Sequence, residues 1–170
     1  MSHPIKLPDI SPEITSPTLL VVCDNHHCKL YDVGGHTILA KEEITSAEAH
    51  YTDRQGSKVG GSGVVGVGES DQVEEHRQRE FANKLIARIE HVVRDQKIVD
   101  LYLSAPGKFL SHLKKDLPKS LSKVLETAID GNFVKESPAS VLARFRPDLK
   151  AAVDELHDQE NYSSKKHLPK

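Results

Sequence analysis

Cys23, His26, His27 and Cys28 put two thiols and two imidazoles within six residues, a soft donor set of the types zinc accepts at tetrahedral distance. The spacing is not that of a C-x-x-C knuckle and no second cysteine pair follows. The cluster therefore reads as a buried strand cysteine beside turn histidines, both cysteines as free thiols, and neither metal nor cofactor is expected. Asp24 with Glu74 or Glu80 has the residue types of a two-cation phosphodiesterase, which must gather carboxylates from separate elements around the scissile phosphate. Its third member fails: Asp100 falls at the start of its strand, and the far end offers Ser104 and Ala105. Gly61-Ser-Gly63-Val-Val-Gly66 satisfies GxGxxG literally, yet no buried strand leads into it and no helix opens at its last glycine. No Ser-His-Asp set or nucleophile elbow can be nominated, so no catalytic residue is assigned.

Lys108, Lys114, Lys115, Lys119 and Lys123 fall within 16 residues against Asp116 alone, with His112 adding charge at mildly acidic pH. The helix carrying the first of them opens after a strand at Ala105-Pro-Gly-Lys108, where free amides and the helix dipole favour an anion. Phosphate or RNA backbone is the chemistry such a face suits, with salt-sensitive affinity; the plain alternative is a solvated face over a leucine stripe. Aromatics make up 5% of the chain, so base stacking has little to work with.

These residues need a scaffold, and 170 residues supply one domain. A formal charge of -2 gives no global pull toward nucleic acid or membrane. The longest clean apolar run, Leu19–Cys23, is far short of the roughly 20 residues a bilayer needs, and no apolar signal core opens the chain. No membrane span is expected, and the default address is cytoplasmic. Residues 1–17 carry four prolines and read as a disordered arm. Thr18–Cys23 suits a strand buried on both faces. Alternation over Cys28–Val33, a Gly34-Gly35 turn and alternation over His36–Ile44 complete a three-stranded meander. Residues 46–70 hold six of the ten glycines, all between Gly56 and Gly68, and read as a mobile loop.

From Ser70, a candidate cap, Phe81, Leu85, Ile89, Val92 and Val93 follow helical spacing. Ile98–Ser104 reads as a strand and Pro106-Gly107 opens a short helix. Val124–Phe133 reads as a strand broken near Asp130-Gly131, with a helix over Leu121–Ala128 the alternative. Pro138 starts a last helix running through Val153, and residues 157–170 form a polar tail expected to fray. The domain is thus residues 18–156: three antiparallel strands, a long helix, then strand-helix-strand-helix. That is an α/β fold with the ribonuclease-H-like mixed sheet.

Glu80-Phe81-Ala82 on the long helix, and Ala105-Pro106-Gly107-Lys108-Phe109-Leu110 after the strand, resemble segments of the bacterial host attachment protein family. Val21-Val-Cys-Asp24, Lys29-Leu-Tyr31 and, in divergent form, Ala128-Ile-Asp130 through Phe133 extend the resemblance over roughly residues 18–146. That family is similar in turn to the middle domain of archaeal and eukaryotic peptide-chain release factors and of Pelota. There a Gly-Gly-Gln loop precedes the long helix and enters the peptidyl-transferase centre. Gly60-Gly61-Ser62 occupies the comparable place here, with serine for glutamine and a longer run to the helix. Serine keeps a backbone amide to stabilise a leaving hydroxyl and loses the glutamine's reach.

The resemblance implies a non-enzymatic, release-factor-like module that associates with the ribosome, tRNA or rRNA. Gly60, Gly61 and Ser62 would be its probe, and Lys108, Lys114, Lys115 and Lys119 its phosphate contacts; DNA is not expected. Two other readings stand beside it. One is a protein-interaction factor affecting attachment to host cells indirectly, and the other is a hydrolase acting on RNA or an ester. Oligomeric state is not legible.

Overall fold

A computed structural model describes residues 3–46 and 67–166. In chain order its elements are β1 (Ile5–Lys6), β2 (Ile14–Cys23), β3 (His27–Gly35), β4 (Thr37–Thr45), α1 (Val67–Asp95), β5 (Asp100–Ala105), α2 (Gly107–Lys115), α3 (Lys119–Ser122), β6 (Leu125–Asp130), α4 (Pro138–Phe145), a 3-10 turn (Pro147–Leu149) and α5 (Lys150–Lys166). The strands form one six-stranded sheet in the order β1-β4-β3-β2-β5-β6. The pairs β1/β4, β4/β3 and β3/β2 are antiparallel, whereas β2/β5 and β5/β6 are parallel. Apart from β1, this is the mixed sheet of three antiparallel strands followed by helix-linked parallel ones that the sequence predicts.

Period decides which side chain faces which layer. In β2, Leu19, Val21 and Cys23 join the core beneath α1 and α2, while Leu20 and Val22 join the core beneath α4 and α5. Both sets are buried, as a continuous apolar run at the centre of a sheet requires. The β2–β3 turn is closed by Asp24, whose Oδ1 accepts from the amides of His26 and His27 at 2.7 and 2.6 Å. The β3–β4 turn needs Gly35, which sits at φ +59°.

Four expectations change. The N-terminal arm is part of the fold: Ile5 and Lys6 pair with Ile38 and Thr37, and Leu7 and Ile14 are buried in the second core. Prolines are tolerated there because β1 is two residues long, and because Pro17 sits where the β2–β3 register shifts between Ile14 and Thr18. Second, α1 begins at Val67, so Ser70 lies within the helix, the last four residues of the expected loop are helical, and a helix does open directly after Gly66, the last glycine of the GxGxxG match. The remainder of that loop, Gly60, Gly61, Ser62 and the GxGxxG match included, lies outside the described residues.

Third, the expected last helix is two helices. Pro147 has no amide to continue α4, and the chain leaves helical geometry at Arg146 (φ -123°, ψ 82°) before restarting. Fourth, the polar tail from 157 is helical through Lys166, extending α5 beyond its buried Ala152 and Val153. Its exposed turns are supported by i,i+4 contacts such as Gln159 to Glu155 at 3.3 Å. Leu121–Ala128 does not continue a helix: α3 stops at Ser122 and β6 starts at Leu125. No helix among the described residues is long and apolar enough to cross a membrane.

Candidate nucleic-acid interface

Helix α1 sets the geometry. Its buried face runs Phe81, Ala82, Leu85, Ile86, Ile89, Val92 and Val93, and Phe81 is the first buried residue among its described side chains. Residues 72–80, none of them buried, therefore run about 14 Å past the packed part of the helix at 1.5 Å per residue. This stem is held by exposed i,i+4 pairs, Arg79–Glu75 at 3.1 Å and His76–Glu80 at 3.2 Å. Residues 67–80 contain five acids, Glu69, Asp71, Glu74, Glu75 and Glu80, against Arg77 and Arg79. A stem of that charge repels phosphate.

The base of the stem is braced by α2. Phe81 and Phe109 stack with ring centroids 5.3 Å apart, and Phe109, Leu110 and Leu113 are buried. Ser120 of α3 donates to Glu90 of α1 at 2.9 Å. With that face inward, Lys108, Lys114, Lys115, Lys119 and Lys123 are all exposed. Among the described residues, none of their ammonium groups has a hydrogen bond or an ion pair. Lys114 and Lys115 lie in the last turn of α2, where positive charge also complements the helix dipole.

One part of the expected site is already filled. An ideal Cβ on Gly107 would lie 3.0 Å from Asp130 Oδ2, so the chain's own carboxylate sits against the N-terminus of α2. A phosphate approaching the amides at Ala105–Lys108 would meet that carboxylate's negative charge. The free cationic surface is consequently the other end of α2 with α3, carried by Lys114, Lys115, Lys119 and Lys123.

A second group of basic residues escapes notice in the sequence. Lys84, Arg88 and His91, spaced four and three apart, share one face of α1 and line a groove of about 510 Å³ against Glu42–Thr45 of β4. Their charges are engaged. Arg88 Nε bonds both oxygens of Glu42 at 3.0 and 2.8 Å, Lys84 reaches the Thr45 carbonyl at 3.4 Å, and His91 lies 2.9 Å from Asp95. The groove works as a strut between helix and sheet. The 4,3 spacing was the available signal, although pairing with β4 cannot be read without the tertiary fold.

The other sequence candidates are dispersed. Asp24 is taken up by its turn amides, Asp100 begins β5, and Glu74 and Glu80 lie on the stem. Cys23 and Cys28 are buried, while His26 and His27 are exposed on the turn. Among the described residues, no three His, Cys, Asp or Glu side chains gather in a metal-holding group.

A family model described as bacterial archaeo-eukaryotic release factor family 12 matches residues 17–145. Its description concerns release factors and says nothing of host attachment. Among solved structures, the archaeal translation termination factor aRF1 aligns with a TM-score of 0.51 and 9% identity over 87% of this chain and 41% of that one. Ribosome-bound archaeal Pelota aligns at 0.46 and 16%, over 93% of this chain and 38% of its own. Saccharomyces cerevisiae Dom34, a translation termination-like factor, aligns at 0.41 and 12%, over 91% and 42%. The likeness is one of fold, and the chain spans about two fifths of each structure. No curated protein sequence matches.

Proposed function

This chain belongs to bacterial archaeo-eukaryotic release factor family 12, and from that premise we propose that it is a non-enzymatic module associating with the ribosome or its RNA in the cytoplasm. The observation that carries the reading is the row of exposed, unpaired lysines on α2 and α3 beside the base of the projecting stem. Lys114, Lys115 and Lys119 contact phosphate, with Lys108 at the edge near Asp130. The acidic stem leaves that work to α2 and α3, and Gly60, Gly61 and Ser62, which precede it in the sequence, are the proposed probe. The descriptions of the family and of aRF1, a translation termination factor, point to the translation apparatus. Ser62 in place of a glutamine argues for contact without peptidyl-tRNA hydrolysis.

Co-sedimentation of purified chain with ribosomes across a salt series tests this. Wild-type affinity should fall steeply with salt, and K114E/K115E should bind more weakly with a log–log salt slope reduced by about 2. Unchanged binding by the double variant would contradict the assignment, and binding indifferent to salt would favour a protein partner.

A further inference from the structure

Cys23 ends β2, Cys28 is the second residue of β3, and the two stand directly opposite each other in the antiparallel register. Both are free and fully buried on the α1 side of the sheet, with their sulfurs 2.7 Å apart. The four residues between them form a fixed turn, in which the Asp24 amide donates to the His27 carbonyl at 2.8 Å. Opposed residues of an antiparallel pair have Cα atoms about 4.5–5.5 Å apart, inside the span of about 4.4–6.8 Å that a disulfide accepts. No backbone rearrangement is needed to join them. Zinc is a poorer occupant, because thiolates about 2.3 Å from one tetrahedral ion stand about 3.8 Å from each other. Among the described residues no third ligand completes such a site.

We propose that Cys23 and Cys28 form a reversible disulfide site whose oxidant is a low-molecular-weight disulfide of the glutathione type. One cysteine, as thiolate, attacks the small disulfide, forming a mixed disulfide and expelling one thiolate. The second attacks the protein sulfur of that mixed disulfide and expels the other. Two protein S–H bonds are exchanged for one S–S bond, and the two electrons and two protons leave as two small thiols. Burial, and then the neighbouring Cys23 thiol, push the Cys28 pKa up. Both thiols being buried, access requires the turn to open where Asn25, His26 and His27 are exposed.

The bond would form where α1 leaves the core. Cys28 pairs with Ile44 and His27 with Thr45, and the Thr45 carbonyl is the group that Lys84 of α1 reaches. Oxidation therefore ties the end of the β2–β3 hairpin at the root of the stem.

The test uses the full chain, reduced, desalted and equilibrated with glutathione buffer poised near about -200 mV. Intact mass after acid quench should fall by about 2 Da with no glutathione attached, neither cysteine should alkylate in denaturant, and reductant should restore both. C28S should stop at a single glutathione adduct. The same exchange during refolding from denaturant removes burial as a barrier. Two alkylatable thiols after both treatments, or a wild-type chain that stops at the mixed adduct, would overturn the proposal.

Discussion

Ser104 is wholly buried at the end of β5, and its hydroxyl has no partner among the described residues. A hydroxyl in that position loses water and gains nothing. Ser104→Ala should leave stability within about 1 kcal/mol of wild type or raise it, whereas Leu103→Ala next to it should cost about 2–5 kcal/mol, both read from urea denaturation. Arg146 and Asp148 give the clearest pH effect. The hydrogen bonds from Arg146 hold the Asp148 carboxyl below the usual carboxylate range. A lowered carboxylate contributes above its unfolded pKa of about 3.9, and its contribution is lost as pH falls through the folded value. The stability difference between wild type and Asp148→Asn should thus be largest near neutral pH and vanish in acid. It should be small and salt-sensitive, because the Asp148 side chain is 45% exposed. At this scale the sequence makes the lysine cluster and the cysteine–histidine turn visible. It hides that Asp130 occupies the α2 N-terminus and that Cys23 faces Cys28, since both depend on strand register.

The long helix divides into a packed half and a stem. Phe81→Ala removes a ring stacked on Phe109 and should cost about 3–5 kcal/mol, while Val73→Ala, on the exposed stem, should stay within about 0.5 kcal/mol. Backbone amides of residues 72–80 should exchange with solvent faster than those of 85–93, because no buried side chain anchors that stretch. Comparable protection along the whole helix would contradict the stem. Elements with a strong period were legible: β2 from its apolar run, β3 and β4 from alternation around Gly34-Gly35, and α1 from Phe81 to Val93. Elements defined by tertiary context were not. β1 is two residues pinned to Ile38 and Thr37, and its prolines read as disorder. The outer turns of α5 are polar and continue a helix whose anchors, Ala152 and Val153, lie before them. Pro147 was the visible sign that the final helix would break, and the uninterrupted apolar spacing from Leu142 to Val153 concealed it.

At the scale of the molecule, charge is segregated although the net is only -2. Residues 67–80 carry five acids to two arginines, and residues 108–123 carry five lysines to one acid. A uniform surface of the same composition would give little attraction to RNA, but a local lysine face does so at short range and loses it once salt shortens the Debye length. The family and the sheet order identify a release-factor-like domain, and the proposed contact with phosphate rests on the lysine face. The most direct measurement is the position of the native protein in sucrose gradients of lysate at low and high salt. The account predicts migration with ribosomal particles at low salt and release to the top of the gradient at high salt. A protein found at the top in both would contradict it.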